Sequence, residues 1–189
     1  MIVVFVNSME DTEMFMSVYK DIDCKLLYNP KRVEVVKMLK AYPNETLLCL
    51  GHGSKYGLFD MDIEDFVIDD QMEYLLRSRE VIGVWCYAKQ FALRNKLKGF
   101  FTDMFISNQD EAEYHCCKGN DDEVIMEQNR KFADSLNKLI LDNTPINEWA
   151  DILYKNADRQ RTFTLISTGK ICSAVTHTIS IRCRHGRSD

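Results

Sequence analysis

The chain has 189 residues, an apolar fraction of 46% and a formal net charge of -5, which together favour one globular domain with a sizeable core. The mild negative charge offers no basic surface for a phosphate backbone, so nucleic acid is not an expected partner. The first apolar run is too short for a signal peptide, no later run is long enough to span a bilayer, and the seven cysteines lie mostly in apolar strings. We therefore expect a cytoplasmic protein with reduced thiols and no membrane association.

Short apolar runs alternate with amphipathic patterns through the first half of the chain. The runs predict five buried strands, at residues 2–6, 24–28, 46–50, 81–85 and 100–106. The amphipathic patterns predict helices at 11–20, between Pro30 and Pro43, and at 71–77, 89–96, 110–115, 122–141 and 146–154. This alternation is typical of a three-layer α-β-α fold, an α/β class with a mostly parallel central sheet.

Residues 1–160 are predicted to form this domain, with the last helices covering the sheet. Residues 161–189 shift to threonine, serine and arginine with weak strand signals. They are predicted as a tail, in which a sixth strand is an open alternative.

A histidine and a cysteine follow two of the predicted strands. His52 leaves the third strand on a loop that contains Gly51 and Gly53, and Cys86 leaves the fourth strand just before a helix. Because the carboxyl ends of parallel strands meet at one edge of a sheet, the two side chains are expected to lie together there. Each residue alone is more often a turn histidine or a small buried cysteine, so the prediction of a catalytic dyad rests on the pair.

The pair suits nucleophilic catalysis. A thiolate is the reactive form of cysteine, and both a helix N-terminus and a neighbouring imidazolium favour it. The backbone N–H groups of Gly53 and Cys86 are the expected donors to an oxyanion if the two strands are adjacent.

An apolar block that ends in His52-Gly53, followed by a second that ends in Cys86-Tyr87-Ala88, resembles the caspase, legumain, gingipain and separase superfamily of cysteine peptidases. In that superfamily the histidine ends the third strand and the cysteine ends the fourth. The resemblance implies a caspase-like fold and a cysteine endopeptidase that acts on protein or peptide substrates. Val84 and Trp85 precede Cys86 where caspases have glutamine and alanine, so a divergent, bacterial or CHAT-like member fits better and aspartate specificity is not implied.

The resemblance also implies where the substrate side chain binds. The pocket would be built from the end of the first strand, the histidine loop and the segment after the fifth strand. The residues predicted to bind substrate in these places are Asn7, Ser8, Asp103, Ser107, Asp110 and Glu111. Acids among them would match a lysine or arginine side chain, although Asp110 and Glu111 also suit the N-terminus of the following helix.

No metal or cofactor is predicted. His115, Cys116 and Cys117 are adjacent, and three adjacent residues cannot all converge on one zinc ion. The first loop also lacks a glycine-rich phosphate cradle.

Two further expectations concern partners. A small protease without a prodomain needs control by a regulatory partner, a ligand or a homodimer, and caspase-like sheets often extend across a dimer edge. The alternative function is non-enzymatic: a catalytically inactive caspase-like module, or a flavodoxin-like module, that binds a ligand or a protein at the same strand ends.

Overall fold

The computed structural model describes residues 1–8, 10–114, 122–156 and 165–167. The strands in chain order are β1 (Ile2–Phe5), β2 (Lys25–Tyr28), β3 (Leu47–Leu50), β4 (Gly53–Ser54), β5 (Gly57–Phe59), β6 (Phe66–Asp69), β7 (Glu80–Val84), β8 (Lys98–Met104) and β9 (Leu165–Ser167). The helices are α1 (Arg32–Ala41), α2 (Glu73–Leu76), α3 (Ala88–Asn95), α4 (Gln109–Tyr114), α5 (Asp122–Leu141) and α6 (Trp149–Asn156). Three segments, Glu10–Tyr19, Asp70–Met72 and Ile146–Glu148, are 3₁₀ helices.

The described strands form a six-stranded sheet in the order β2-β1-β3-β7-β8-β9 and a smaller three-stranded sheet, β4-β5-β6. The first five strands of the larger sheet are parallel, and β9 pairs antiparallel with β8. Every residue of β1 and β3 is buried, as expected for parallel strands that are covered on both faces.

Helices cover both faces of the larger sheet. On one face, Ile2 and Val4 of β1 belong to a core that includes residues of α1, α2, α3 and the smaller sheet. On the other face, Val3 and Phe5 belong to a core with the Glu10–Tyr19 segment, α5 and α6. The prediction of an α/β fold with a mostly parallel sheet between helical layers is confirmed.

The Glu10–Tyr19 segment differs from the predicted α-helix. Thr12, Phe15 and Val18 are its most buried residues, with at most 2% of each exposed. A spacing of three places these side chains on one face of a 3₁₀ helix, which has three residues per turn. The segment is therefore helical, as predicted, but it has 3.0 residues per turn instead of the 3.6 of an α-helix.

The sequence patterns did not predict the strands of two regions. Residues 54–70 were predicted only as a mixed segment, whereas they contain most of the smaller antiparallel sheet. Leu165–Ser167, within the predicted tail, forms β9 beside β8; the rest of residues 161–189 lies outside the described ranges. Within those ranges, no helix combines the length and apolar composition needed to cross a membrane.

Candidate functional site

The strand register brings His52 and Cys86 to the same level of the larger sheet. β3 and β7 are neighbouring parallel strands, and Leu50 pairs with Val84. His52 and Cys86 each follow their paired residue by two positions, and the Gly51 N–H donates to the Val84 carbonyl at 3.3 Å. Both residues therefore leave the sheet side by side at its carboxyl edge, as the sequence predicted.

The histidine loop begins at a residue that must be glycine. Gly51 has a φ of +146°, and a Cβ there would lie 2.7 Å from the Val6 carbonyl oxygen, so a side chain is excluded by both conformation and space. The half-buried His52 follows, and its carbonyl accepts a hydrogen bond from the Phe59 N–H at 3.0 Å. The smaller sheet then continues the loop, because Gly53 pairs with Leu58.

Hydrogen bonds to β8 fix the backbone on both sides of Cys86. The Trp85 N–H donates to Thr102 Oγ1 at 3.1 Å, and the Thr102 hydroxyl donates to the Trp85 carbonyl at 2.8 Å. The Tyr87 N–H donates to the Asp103 carbonyl. Tyr87 adopts a left-handed conformation with a φ of 65° and occupies the position before the first residue of α3, without a side-chain hydrogen bond to the helix. Cys86 is thus held at the turn between strand and helix.

The Cys86 side chain is partly buried, and its thiol donates to the Phe105 carbonyl oxygen at 3.2 Å. This bond stabilises the neutral thiol, since a thiolate has no proton to donate. The N-terminus of α3, two residues further on, favours negative charge instead. Ionisation of Cys86 therefore requires that the thiol leave the Phe105 carbonyl.

The other two described cysteines have different surroundings. Cys49 is fully buried in β3, and desolvation raises the pKa of its thiol above the usual range, while the positive charge of Arg79 lowers it by less. Desolvation also raises the pKa of the Cys24 thiol; the N-terminal ammonium lowers this pKa, and the negative charge of Asp23 raises it. Neither Cys24 nor Cys49 lines the cavity that contains Cys86.

A narrow cavity of about 10 Å³, partly open to solvent, lies at the carboxyl edge of the sheet, and a cavity of this size holds about one water molecule. Its walls come from the Glu10–Tyr19 helix, the histidine loop, Cys86 and the segment after β8. The lining residues are Thr12, Met14, Phe15, Gly51, His52, Cys86, Phe105 and Ser107. Two of the three segments predicted for a substrate pocket, the histidine loop and the segment after the fifth strand, therefore meet beside Cys86, whereas the Glu10–Tyr19 helix occupies the place predicted for the end of the first strand.

Of the six residues predicted to bind substrate, Ser107 lines the cavity. Its N–H and hydroxyl both donate to Glu111 Oε2, at 2.8 and 2.9 Å. The Glu111 N–H in turn donates to Asn108 Oδ1 at 2.9 Å. Glu111 therefore caps the start of α4, which was the alternative role weighed for it, and Asp110 is exposed in the same first turn.

The remaining predicted residues lie outside the cavity lining. Asn7 has structural bonds: its N–H donates to Asn29 Oδ1 at 2.7 Å, and its Oδ1 accepts from the Thr12 hydroxyl at 2.6 Å. The hydroxyl oxygen of Ser8 is buried without a hydrogen-bond partner. The carbonyl of Asp103 accepts from Tyr87, as described above. Asn7 is thus connected to the cavity wall only by its hydrogen bond from Thr12, among the bonds described here.

The sequence did not single out Thr12, Met14, Phe15 or Phe105 as site residues. The three apolar side chains resemble ordinary core residues, and Phe105 does pack at 5.0 Å from Phe15, centroid to centroid. They line the cavity because the 3₁₀ helix lies beside the segment that follows β8, and no local sequence pattern reveals that arrangement.

The described side chains form no group of three or more His, Cys, Asp or Glu that could hold a metal ion. His115, Cys116 and Cys117 lie outside the described residues. No protein-family model matches the chain, and no curated protein matches it significantly.

Proposed function

We propose that the protein is a cysteine endopeptidase of the caspase-like type, in which Cys86 is the nucleophile and His52 the general acid and base. The observation that carries this proposal is that the two side chains line one cavity at the carboxyl edge of the sheet. A nucleophile and a base on adjacent strand ends are two of the elements that acyl transfer requires.

The order of the elements supports the caspase-like assignment. In chain order, β3 is the third strand of the larger sheet and β7 is the fourth. His52-Gly53 follows the third and Cys86 follows the fourth, which is the arrangement of the superfamily that the sequence resembles. The tryptophan before Cys86 departs from caspases, so the proposal is for a divergent member.

In the proposed mechanism, Cys86 gives its proton to His52 and leaves the Phe105 carbonyl. The thiolate attacks the scissile carbonyl carbon and forms a C–S bond, while the backbone N–H groups of Gly53 and Cys86 stabilise the oxyanion. The C–N bond then breaks, and the imidazolium of His52 protonates the leaving amine. Water, activated by His52, hydrolyses the thioester and restores the thiol.

The substrate is proposed to be a protein or peptide whose scissile bond lies at the mouth of the cavity that Thr12, Phe105 and Ser107 line beside Cys86. The Glu111 carboxylate, which was a candidate to match a basic side chain, already accepts two hydrogen bonds from Ser107. A panel with lysine, arginine, aspartate and uncharged residues before the scissile bond is therefore the appropriate substrate set. Control by a regulatory partner or a homodimer remains part of the proposal.

Thiol labelling tests the proposal without knowledge of the substrate. Iodoacetamide is applied over a range of pH, and the modified peptides are quantified by mass spectrometry. An activated Cys86 is expected to react at pH 6–7, well below the pKa of about 8.5 of an ordinary thiol. His52→Ala should shift the reaction of Cys86 to the ordinary pH range, whereas Cys24→Ala, the matched control, should leave it unchanged.

Peptide cleavage by the purified chain and by Cys86→Ala completes the test. Cleavage that requires both Cys86 and His52 is the expected result. The inactive-module alternative has one observation in its favour, since the bond from Cys86 to the Phe105 carbonyl stabilises the neutral thiol. It predicts that Cys86 reacts as an ordinary thiol and that Cys86→Ala changes no cleavage; both results together would overturn the peptidase proposal.

A further inference from the structure

The side chain of Trp85 connects the two segments that carry Cys86 and His52. Trp85 immediately precedes Cys86 and is 1% exposed. Its indole Nε1–H donates to the carbonyl oxygen of Ser54 at 3.1 Å, across a sequence separation of 31 residues. Ser54 lies in β4, two positions after His52. A single side chain thus reaches from the strand end of the nucleophile to the loop of the base.

Two glycines make room for the indole. A Cβ on Gly53 would lie 2.3 Å from Trp85 Cδ1, and a Cβ on Gly83 would lie 2.6 Å from Trp85 Cζ3. Both distances are shorter than any van der Waals contact allows. The five-membered ring therefore rests directly on the backbone beside His52, and the six-membered ring rests on β7. Phe91 of α3 packs against the indole at 5.7 Å between centroids, in an edge-to-face arrangement.

The backbone of Trp85 is equally well fixed. Thr102 accepts from its N–H and donates to its carbonyl, and both groups are buried. The indole is therefore held at its base by β8, along one edge by Phe91, and at its donor end by the histidine loop. A displacement of the loop would break the indole hydrogen bond and leave a buried donor without a partner, which is costly.

We propose that Trp85 is a positioning residue that fixes the His52 loop relative to Cys86. The inference rests on the proposed function, because it concerns the same pair of residues. Phenylalanine at this position would keep an aromatic ring against Gly53 but could not donate to Ser54. Tryptophan combines the length to reach the loop, a flat face for Gly53 and a donor for the loop backbone. This role gives a physical reason for the point at which the chain departs from the caspase motif.

The test compares Trp85→Phe with Phe100→Leu in the full chain. Phe100 is a fully buried residue in the core on the opposite face of the sheet, so its variant controls for a general loss of packing. The first readout is amide hydrogen exchange over residues 51–57. The second is the pH profile of Cys86 alkylation by iodoacetamide, and it is measured for His52→Ala and for the double variant as well.

Trp85→Phe is expected to speed exchange in the loop about tenfold or more, whereas Phe100→Leu should not. It should also move the Cys86 profile toward that of His52→Ala and slow alkylation at pH 7 by up to about a hundredfold, the effect expected of a misplacement near 1 Å. In the double variant, Trp85→Phe should add nothing to His52→Ala, because the tryptophan acts through the histidine.

The role of Trp85 alone would be overturned if amide exchange in the loop had the wild-type rate in Trp85→Phe. It would also be overturned if wild-type Cys86 reacted at pH 6–7 and the Trp85→Phe variant kept that pH profile. A wild-type Cys86 that titrates as an ordinary thiol would instead overturn the proposed dyad, and the positioning role would fall with it. The hydrogen exchange result would still show whether the indole holds the loop.

Discussion

Gly53→Ala is the substitution with the most direct effect on the proposed dyad. The new methyl group would lie 2.3 Å from Trp85 Cδ1 and 2.6 Å from the Gly57 carbonyl oxygen, whereas ordinary contacts begin near 3.4 Å. The indole is fully buried and cannot retreat, so the loop that carries His52 must move by about 1 Å. A displacement of this size in a catalytic group costs about a hundredfold in rate, and overpacking of this kind costs about 1–3 kcal/mol of stability.

The assay is the rate of Cys86 alkylation at pH 7, measured beside the thermal midpoint. Ser54→Ala is the matched control in the same loop. Its hydroxyl accepts a local bond from the Tyr56 N–H at 3.1 Å, and the carbonyl that Trp85 contacts is retained. The control should react at the wild-type rate. A Gly53→Ala variant that keeps both the wild-type midpoint and the wild-type alkylation rate would refute the reasoning, because the loop would then tolerate the methyl group without displacement.

Three further substitutions test the surroundings of the site. Thr102→Val leaves the Trp85 N–H without its partner and the Trp85 carbonyl with only the Ala88 N–H at 3.2 Å, so we expect a loss of about 1–3 kcal/mol in urea unfolding and slower alkylation of Cys86; unchanged stability would contradict the bond. Cys49→Val should alter the pH dependence of stability: burial raises the pKa of Cys49, so the thiol keeps its proton in the folded chain but loses it in the unfolded chain above about pH 8.5. The free energy of unfolding of the wild type should therefore fall by about 1.4 kcal/mol per pH unit above that pH through this group, and the variant should lack that component in urea titrations from pH 7 to 10. Arg79→Met removes donors to the carbonyls of Leu39, Tyr42 and Leu75 at 2.9–3.0 Å and should cost about 3 kcal/mol, whereas Arg94→Met, which removes an exposed ion pair with Asp70, should cost less than about 1 kcal/mol.

The parallel sheet could be predicted because its strands carry their own signal. A run that is buried on both faces must be apolar at every position, and β1 and β3 show this pattern without interruption. The long helix α5 was predicted with the bounds that the structure has, Asp122–Leu141, because its apolar stripe extends over five turns and acids occupy its first turn.

The smaller sheet could not be predicted in the same way. β4 has two residues and β5 has three, which is too short for an alternating pattern to emerge from a polar segment. The smaller sheet instead packs against the rest of the fold, where Leu58 and Ile68 are buried in one core with residues of α1 and α3. Those contacts become visible only when the order of the strands is known.

In the candidate site, too, the sequence predicts some residues correctly and others not. His52 and Cys86 could be predicted as neighbours because each follows a recognisable strand, and the register of parallel strands is enough to bring them together. Glu111 was proposed to bind substrate because it is acidic and close in sequence to the end of β8. Its carboxylate instead satisfies the N–H and hydroxyl of Ser107 at the start of α4, and a helix N-terminus needs such partners whether or not a substrate is bound.

Trp85 and two glycines are a sequence signal for the position of the histidine loop, which was not recognised in the sequence. A large aromatic residue just before the nucleophile fits an ordinary buried strand, and glycines at 53 and 83 fit an ordinary turn and a strand interior. The three residues have to be considered together, because the indole of Trp85 occupies the space that side chains at Gly53 and Gly83 would need. If this matching positions His52, then in related chains a tryptophan before the cysteine should occur together with glycine at both other positions. Replacement of the tryptophan by a small residue should not by itself free either position, because a Cβ would still lie 2.8 Å from the Phe101 ring at Gly83 and 2.6 Å from the Gly57 carbonyl oxygen at Gly53.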